Sequence, residues 1–337
     1  MATKADRLLP RLALLTLVLL YLVVLAGSVV RATGSGMGCP DWPRCYGKLI
    51  PPTRAEDIDV AKLDLERYRR SWASHGREDV EVTEESIRRN FSALETWIEF
   101  INRCLGAVSG LAAVATFLCS ILSSRSDWLL RGLLLAELVL FGVVAWLGKV
   151  VVDTNLLPWK ITLHMMLAMG LITMALAILH RVRPGSPVPV TRSMRWHLAV
   201  CLLAVLVQTV VGTQVRELVD EHSLASCCGD RLEQHLGISL VWHRIGAITT
   251  LTLVAIAFFR LRFGAGKGAD AAPLLTNALG LLVAVEYGVG VLLIRAGLPA
   301  ALQPVHLVLA FVLHGLLFAL LLRSRLQPDN SSANLTS

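Results

Sequence analysis

The sequence predicts an all-α integral membrane protein whose eight transmembrane helices form two parallel-repeat four-helix bundles. Of its 337 residues, 55% are hydrophobic and 17% are charged, which is far more apolar surface than one soluble core can bury. Apolar runs of roughly 20 residues, enough to cross about 30 Å of hydrocarbon, recur along the chain. They lie near residues 11–30, 98–122, 128–151, 160–181, 194–215, 238–260, 274–294 and 302–323.

Positive charge predicts the orientation of these runs. Lys and Arg concentrate before the first run and after the second, fourth, sixth and eighth, whereas the intervening segments are acidic or mixed. By the positive-inside rule we expect both termini in the cytoplasm and residues 31–97 outside. The first run lacks a small-residue cleavage site and leads into further runs, so we interpret it as a retained helix. Because no transit peptide precedes it, we expect a bacterial cytoplasmic membrane. The formal charge of +7 then reflects topology and not a nucleic-acid partner.

Short motifs recur in the two halves of the chain. Residues 27–31 (GSVVR) at the end of the first run match residues 212–216 (GTQVR) at the end of the fifth, and Gly142 and Gly288 take similar places in the third and seventh. Because four helices restore the original orientation, the repeat is parallel. The predicted boundaries are 1–185 for the N-terminal half, 186–326 for the C-terminal half and 327–337 for a disordered tail.

Two pairs of helix-borne side chains occupy matching places in the halves. Aligning INRCLG with WHRIG matches Asn102 to His243, and His164 matches His306. A single histidine in a membrane helix is often a hydrogen-bonded packing residue, but inward-facing histidines from two helices can hold a heme iron. The complete pair, His243 and His306, predicts a permanent cofactor. The altered pair predicts a site for chemistry.

Glu99 distinguishes the first half. It lies one helical turn before Asn102 on the same face, whereas Leu240 takes that place in the second half. A carboxyl group buried in an apolar bundle could exchange protons with a substrate. Alternatively, Glu99 is an interfacial carboxylate paired with Arg103. Four arginines near the outer helix ends could bind heme propionates or anchor helices at the interface. They are Arg31, Arg103, Arg216 and Arg244.

The seven cysteines divide by depth. Three lie in or at the ends of apolar runs, where we expect small packing residues. Cys39 and Cys45 lie in a segment expected outside, where disulfides persist, and either form a bridge or remain free thiols. Cys227 and Cys228 are harder to pair because a bridge between neighbours departs from the usual disulfide geometry.

The long segment 31–97 contains two stretches with helical periodicity. These are residues 55–71 and 83–90, and we expect the second to continue into the second apolar run. The segment could be a solvated cap, a cover for the first-half site or a docking surface for a partner.

Residues 33–52, TGSGMGCPDWPRCYGKLIPP, resemble the first outer loop of heme A synthases. Residues 97–103 (WIEFINR), Pro158-Trp159 ahead of His164, and the helices of His243 and His306 extend the resemblance over nearly the whole chain. It implies eight helices in two halves and oxidation of the C8 methyl of heme O to the formyl of heme A, a cofactor of terminal oxidases.

The resemblance also implies roles and partners. Many members have His where this chain has Asn102, and members with a second outer-loop cysteine pair have it spaced apart. A heme O synthase and an electron donor are implied as partners, and a homo-oligomer is compatible with the family. By position, the implied roles are Glu99 as the functional glutamate, His164 and Asn102 at the substrate heme, His243 and His306 as ligands of one heme b, and Cys39 and Cys45 as the outer-loop pair.

Other functions fit parts of the pattern. A bis-histidine heme protein that carries electrons from quinone to an outer acceptor would use the same histidines without altering a heme. A transporter built from parallel repeats would need no heme. Zinc is disfavoured because the sequence has no local His-x-x-x-His or Cys-x-x-Cys cluster.

Overall fold

The computed structural model describes residues 3–39, 41–66, 69, 81–153, 158–225, 232–263 and 272–326. Eight long apolar helices in this part of the chain confirm the predicted all-α membrane fold. Their bounds are α1 Lys4–Ala32, α3 Ala93–Leu122, α4 Trp128–Asp153, α5 Pro158–Val182, α6 Arg192–Ala225, α7 Leu232–Phe263, α8 Pro273–Arg295 and α9 Leu302–Arg323. A short helix, α2 (Glu84–Arg89), precedes α3, and strand β1 (Val188–Val190) pairs in parallel with β2 (Ser324–Leu326).

The long helices expose large apolar side chains. Leu111, Leu122 and Leu281 are 70%, 75% and 69% exposed. Such surface is unfavourable in water but suits hydrocarbon, where a helix also satisfies its own backbone hydrogen bonds. The protein is therefore a multi-pass membrane protein.

Residues Met1–Ile172 form the first of two compact units. Helix α3 packs against both α1 and α4. The hydroxyls of Thr16 and Thr116 lie 3.2 Å apart between α1 and α3. Near the start of α1, the buried carboxylate of Asp6 accepts hydrogen bonds from two serine hydroxyls that follow α3, at 2.7 and 2.8 Å. These polar contacts fix α1 against α3 near the start of α1 and along its length.

Residues Thr173–Ser337 form the second compact unit. Helix α6 packs against α7 and α9, and α8 packs against the same two helices. A closed ring of four helices results, with an apolar core that includes Leu198, Val254 and Leu317. The boundary between the compact units falls within α5, and the predicted boundary at residue 185 stays a prediction.

Helix α7 is interrupted just before its histidine. Gly237 has φ of 43° and ψ of −127°, outside the helical region. Positive φ is readily adopted only by glycine, so the break depends on this residue. The run of helix that carries His243 begins after it.

The predicted continuation of residues 83–90 into the second apolar run is wrong. Helix α2 ends at Arg89, and the backbone is extended at Ser92, with φ of −121° and ψ of 110°. The Ser92 hydroxyl accepts a hydrogen bond from the Glu95 N–H at 3.4 Å and begins α3 as its N-cap. The loop helix and the membrane helix are thus separate elements.

Within the predicted helix 55–71, residues 55–62 form two single 3₁₀ turns, Ala55–Asp57 and Val60–Lys62, whereas Leu65, Glu66 and Arg69 are helical as predicted. Tertiary contacts explain this difference from the periodicity. Arg88 donates hydrogen bonds to the carbonyl oxygens of Ala55 (2.7 Å) and Ile58 (3.0 Å), carbonyls that a continuous helix would use internally.

The segment between α1 and α3, called here the first loop (residues 33–92), has its own small core. A disulfide joins Cys39 and Cys45 with their Cα atoms 4.8 Å apart, and both residues are buried with Ile58 and Tyr46. The Tyr46 ring meets Phe91 edge-on at 5.2 Å. Burial, with the neighbouring Asp41 carboxylate, raises the pKa of Tyr46 to about 12, so this phenol stays neutral at physiological pH.

The remaining cysteines include three free thiols within the helices. Cys119 and Cys201 are buried, whereas Cys104 is exposed on the apolar surface of α3. Cys227 and Cys228 lie outside the described residues.

Gly38→Ala should detach the first loop from α3. A Cβ at residue 38 would lie 2.5 Å from the carbonyl oxygen and 2.6 Å from the carbonyl carbon of Glu95, and a helix backbone cannot yield. We expect a lower melting temperature in detergent and faster proteolysis of the loop. Gly106→Ala, where a Cβ meets open space, is the matched control. Equal melting temperatures for the two variants would contradict a stabilising close contact between residue 38 and the α3 backbone.

Candidate functional site

Glu99 and Arg103 join the first loop to α3. Their side chains form an ion pair one helical turn apart, and Glu99 is 3% exposed. The Cys39 N–H donates a hydrogen bond to Glu99 Oε2 at 2.7 Å. Both carboxylate oxygens therefore have partners, one on the helix and one in the disulfide loop.

The Arg103 guanidinium extends the same contact into the loop. Its Nη2 donates to the carbonyl of Cys39 at 2.7 Å, and its Nη1 donates to those of Asp41 (2.8 Å) and Arg44 (3.2 Å). This geometry matches the alternative in which Glu99 is an interfacial carboxylate paired with Arg103. The propionate role of Arg103 stays a prediction, and it would have to compete with these loop carbonyls.

Asn102 Oδ1 is buried without a hydrogen-bond partner among the described residues. His164 Nδ1 is also buried, and the His164 ring interacts with the backbone carbonyl of Val144. Each faces a glycine: a Cβ on Gly27 would lie 3.7 Å from Asn102 Oδ1, and one on Gly148 would lie 3.3 Å from His164 Cε1. An unsatisfied buried polar atom costs about 1–3 kcal/mol. Atoms of this kind indicate a place where a ligand is expected.

His243 and His306 lie close enough to interact electrostatically within the second unit. A glycine again borders each ring: a Cβ on Gly212 would lie 3.2 Å from His243 Cε1, and one on Gly290 would lie 3.1 Å from His306 Cε1. The backbone of a neighbouring helix thus approaches both imidazoles closely and leaves space where a side chain would otherwise stand.

Polar side chains contact both of these imidazoles. The Gln208 Nε2 lies 3.1 Å from His243 Nδ1 and donates to the His243 carbonyl at 2.9 Å. A Glu286 carboxylate oxygen lies 3.1 Å from His306 Nδ1. This second contact is close but not aligned as a full hydrogen bond, and the other oxygen of Glu286 is buried without a partner among the described residues.

The other predicted propionate partners lie near helix ends. Arg31 is half-buried in the last turn of α1, Arg216 is half-buried in α6, and Arg244 is exposed beside His243. Their contacts with propionates stay predictions. Groups of three or more His, Cys, Asp or Glu side chains that could hold a bare metal ion are absent from the described residues.

Sequence reasoning missed the neighbours of the histidines. The repeat motif contains Gly142 and Gly288, but a Cβ at either position would meet open space. The glycines that face the rings are Gly148 and Gly290, each 16 residues before its histidine. That equal spacing was the available signal.

The sequence is similar to a known family and to several known proteins. Residues 10–318 match the model of the COX15-CtaA family, described as a cytochrome oxidase assembly protein. The chain belongs to this family. It is 26% identical over 279 residues to a heme A synthase from Shewanella oneidensis, covering 73% of this chain and 77% of that protein. It is also 26% identical over 350 residues to a heme A synthase from Bradyrhizobium sp. (strain ORS 278), covering 94% and 90%. A 32-residue stretch is 56% identical to a heme A synthase from Symbiobacterium thermophilum, covering 10% of each chain.

Arg103→Gln should loosen the disulfide loop of this COX15-CtaA family member. The change removes the ion pair with Glu99 and the guanidinium hydrogen bonds to three loop carbonyls. We expect faster hydrogen exchange of the backbone amides at residues 39–48, measured by mass spectrometry in detergent. Arg44→Gln alters an exposed arginine of the same loop and is the control. Unchanged hydrogen exchange in Arg103→Gln would show that Arg103 does not hold the loop in place.

Proposed function

We propose that this protein is a heme A synthase, an oxidoreductase that converts the C8 methyl of heme O to the formyl group of heme A. The observation that carries the proposal is the family match over residues 10–318, together with relatives named heme A synthase over most of their length. Each of two successive hydroxylations of the methyl group consumes O2, two electrons from the donor and two protons, and releases one water. The resulting geminal diol loses a further water to leave the aldehyde. The protein's task is to hold heme O and to deliver the protons.

The substrate site is assigned to the first unit. His164 can supply one strong ligand to the iron of heme O through its imidazole, and Gly148 lets the α4 backbone approach the ring closely. Asn102 presents an amide oxygen, which is a weak ligand. One strong and one weak ligand suit a heme that must enter and leave.

The second unit fits a permanent heme b. His243 and His306 would hold the heme iron through their two imidazoles. Gly212 and Gly290 allow a neighbouring helix to approach each ring closely, which helps to fix the positions of the imidazoles. When bound, this heme would supply an electron-transfer centre, and the chain's own residues would orient it.

Glu99 is assigned the proton-exchanging role beside the substrate. It follows from the structure that taking up a proton at Glu99 would weaken both of its charge-assisted contacts, with Arg103 and with the Cys39 N–H. Proton exchange at this carboxylate and release of the disulfide loop would then be linked. Loop closure would exclude water from the substrate heme.

The cellular setting follows from the charge pattern and the substrate. We assign both termini to the cytoplasm and the first loop to the outer face of a bacterial cytoplasmic membrane. Heme O is apolar, so a heme O synthase in the same membrane is the natural supplier. The protein would also need an electron donor. A homo-oligomer is compatible with this membrane setting.

Pigment analysis tests the function directly. Co-expression with a heme O synthase should yield heme A beside heme B on chromatography of the extracted hemes. His243→Ala and His306→Ala should each lose heme B absorbance, because one axial ligand is removed, whereas His164→Ala should retain heme B and lose heme A. Heme B alone in the unaltered protein would favour the electron carrier, and protein without heme would favour a transporter.

Glu99→Ala should keep heme B absorbance and reduce heme A yield by at least about 100-fold, the scale of a lost general acid–base group. A second variant separates proton exchange at Glu99 from its role in holding the first loop. Arg103→Gln breaks the same ion pair but leaves the carboxyl group in place. We expect Arg103→Gln to retain substantially more activity than Glu99→Ala. Equal losses in the two variants would show that Glu99 serves only to hold the loop.

A further inference from the structure

Each histidine of the second unit faces a helix that carries a polar residue and a glycine four residues apart. On α6 these are Gln208 and Gly212, and on α8 they are Glu286 and Gly290. Residues four apart lie on the same face of a helix. In both cases the glycine borders the imidazole carbon and the polar side chain reaches Nδ1.

The first unit keeps the glycines of this pattern but not the polar residues. Four residues before Gly27 stands Val23, and four residues before Gly148 stands Val144. The His164 ring borders a glycine as the other rings do, but the group that α4 offers it is the neutral backbone carbonyl of Val144, whereas α8 offers His306 the carboxylate of Glu286. The contrast is one of chemistry and not of backbone spacing.

We propose that Glu286 is a positioning residue that holds His306 in the tautomer and orientation needed to bind heme b, and that Val144 leaves His164 without this support so that heme O can exchange. This inference rests on the proposed assignment of heme b to the second unit and heme O to the first. It adds the reason why one heme stays and the other leaves.

The chemistry of imidazole supports the role of Glu286. A neutral imidazole that binds iron through Nε2 must carry its hydrogen on Nδ1. A carboxylate oxygen 3.1 Å from Nδ1 can accept that hydrogen, and a small rotation of the ring would align the bond. Such a partner fixes the ring and makes the imidazole a stronger donor to iron. A stronger donor favours ferric over ferrous heme, which lowers the midpoint potential.

Burial of Glu286 supports the same role. Its side chain is 13% exposed, and its second oxygen lacks a partner among the described residues. A carboxyl group is unfavourable inside a membrane protein unless a function retains it. The ion-pair contact that the structure gives it is with His306.

On the opposite ring, the contact of Gln208 has a different chemistry. Its amide nitrogen, which is a hydrogen-bond donor, lies 3.1 Å from His243 Nδ1 and donates to the His243 carbonyl. Gln208 therefore holds the His243 backbone, whereas Glu286 offers His306 Nδ1 an acceptor. His306 should be the stronger donor of the two.

The test measures the resident heme in purified protein and needs no turnover. Glu286→Val gives α8 the residue that α4 has at its matching place. We expect heme b to dissociate about 10- to 100-fold faster into excess apomyoglobin, the usual cost of removing such a partner, and its midpoint potential to rise. Glu286→Gln keeps a hydrogen-bond acceptor without the charge, so it should retain the heme and raise the potential by less.

Glu137→Val is the matched control, because it removes the buried carboxyl group of α4 in the other unit. It should leave both the dissociation rate and the potential of heme b unchanged. The proposal is overturned if Glu286→Val and Glu286→Gln both keep the unaltered protein's dissociation rate and midpoint potential. Failure of this proposal would leave the proposed function intact, because the protein could still convert heme O to heme A. Conversely, a protein that retains heme b but makes no heme A would refute only the proposed function.

Discussion

The absence of water from the hydrocarbon core is the constraint on which the rest of this structure depends. Backbone groups cannot be left unpaired there, so the chain crosses the membrane as helices. A polar side chain inside is unfavourable unless it has a hydrogen-bond partner or serves a function. In the described helices, some of these side chains have a partner, as Glu99 has in Arg103, whereas Asn102 Oδ1 is buried without a hydrogen bond among the described residues.

The same constraint explains why the first loop is attached so firmly. Arg103 is placed near the end of a membrane helix, where its charge can be satisfied by loop carbonyls and by Glu99. The loop gains a fixed position, and the carboxylate gains a partner. The pairing of Glu99 with Arg103, one of the two alternatives that the sequence left open, is thus present, and the proposed proton exchange would take place at the same pair of oxygens.

Much of the fold could be predicted because hydrophobic length is a strong and local signal. The eight runs lie within the eight helices, although α1 begins at Lys4 and not near residue 11, because Thr3 and Asp6 form reciprocal capping hydrogen bonds at its start. The loop was harder, since Ser92 interrupts a periodic segment and Arg88 takes carbonyls away from a helix. The histidine positions were visible in the repeat. Their partners Gln208 and Glu286 were not, because a contact between two helices has no short-range pattern in the sequence.

The glycines beside the imidazole rings have a consequence for how these positions tolerate substitution. A Cβ at Gly148, Gly212 or Gly290 would lie 3.3, 3.2 or 3.1 Å from an imidazole carbon. On that side each ring rests against helix backbone, which has no rotamer to change. A larger residue could therefore be accommodated only if the ring or the whole helix moved, so these three glycines should be among the least substitutable residues of their helices.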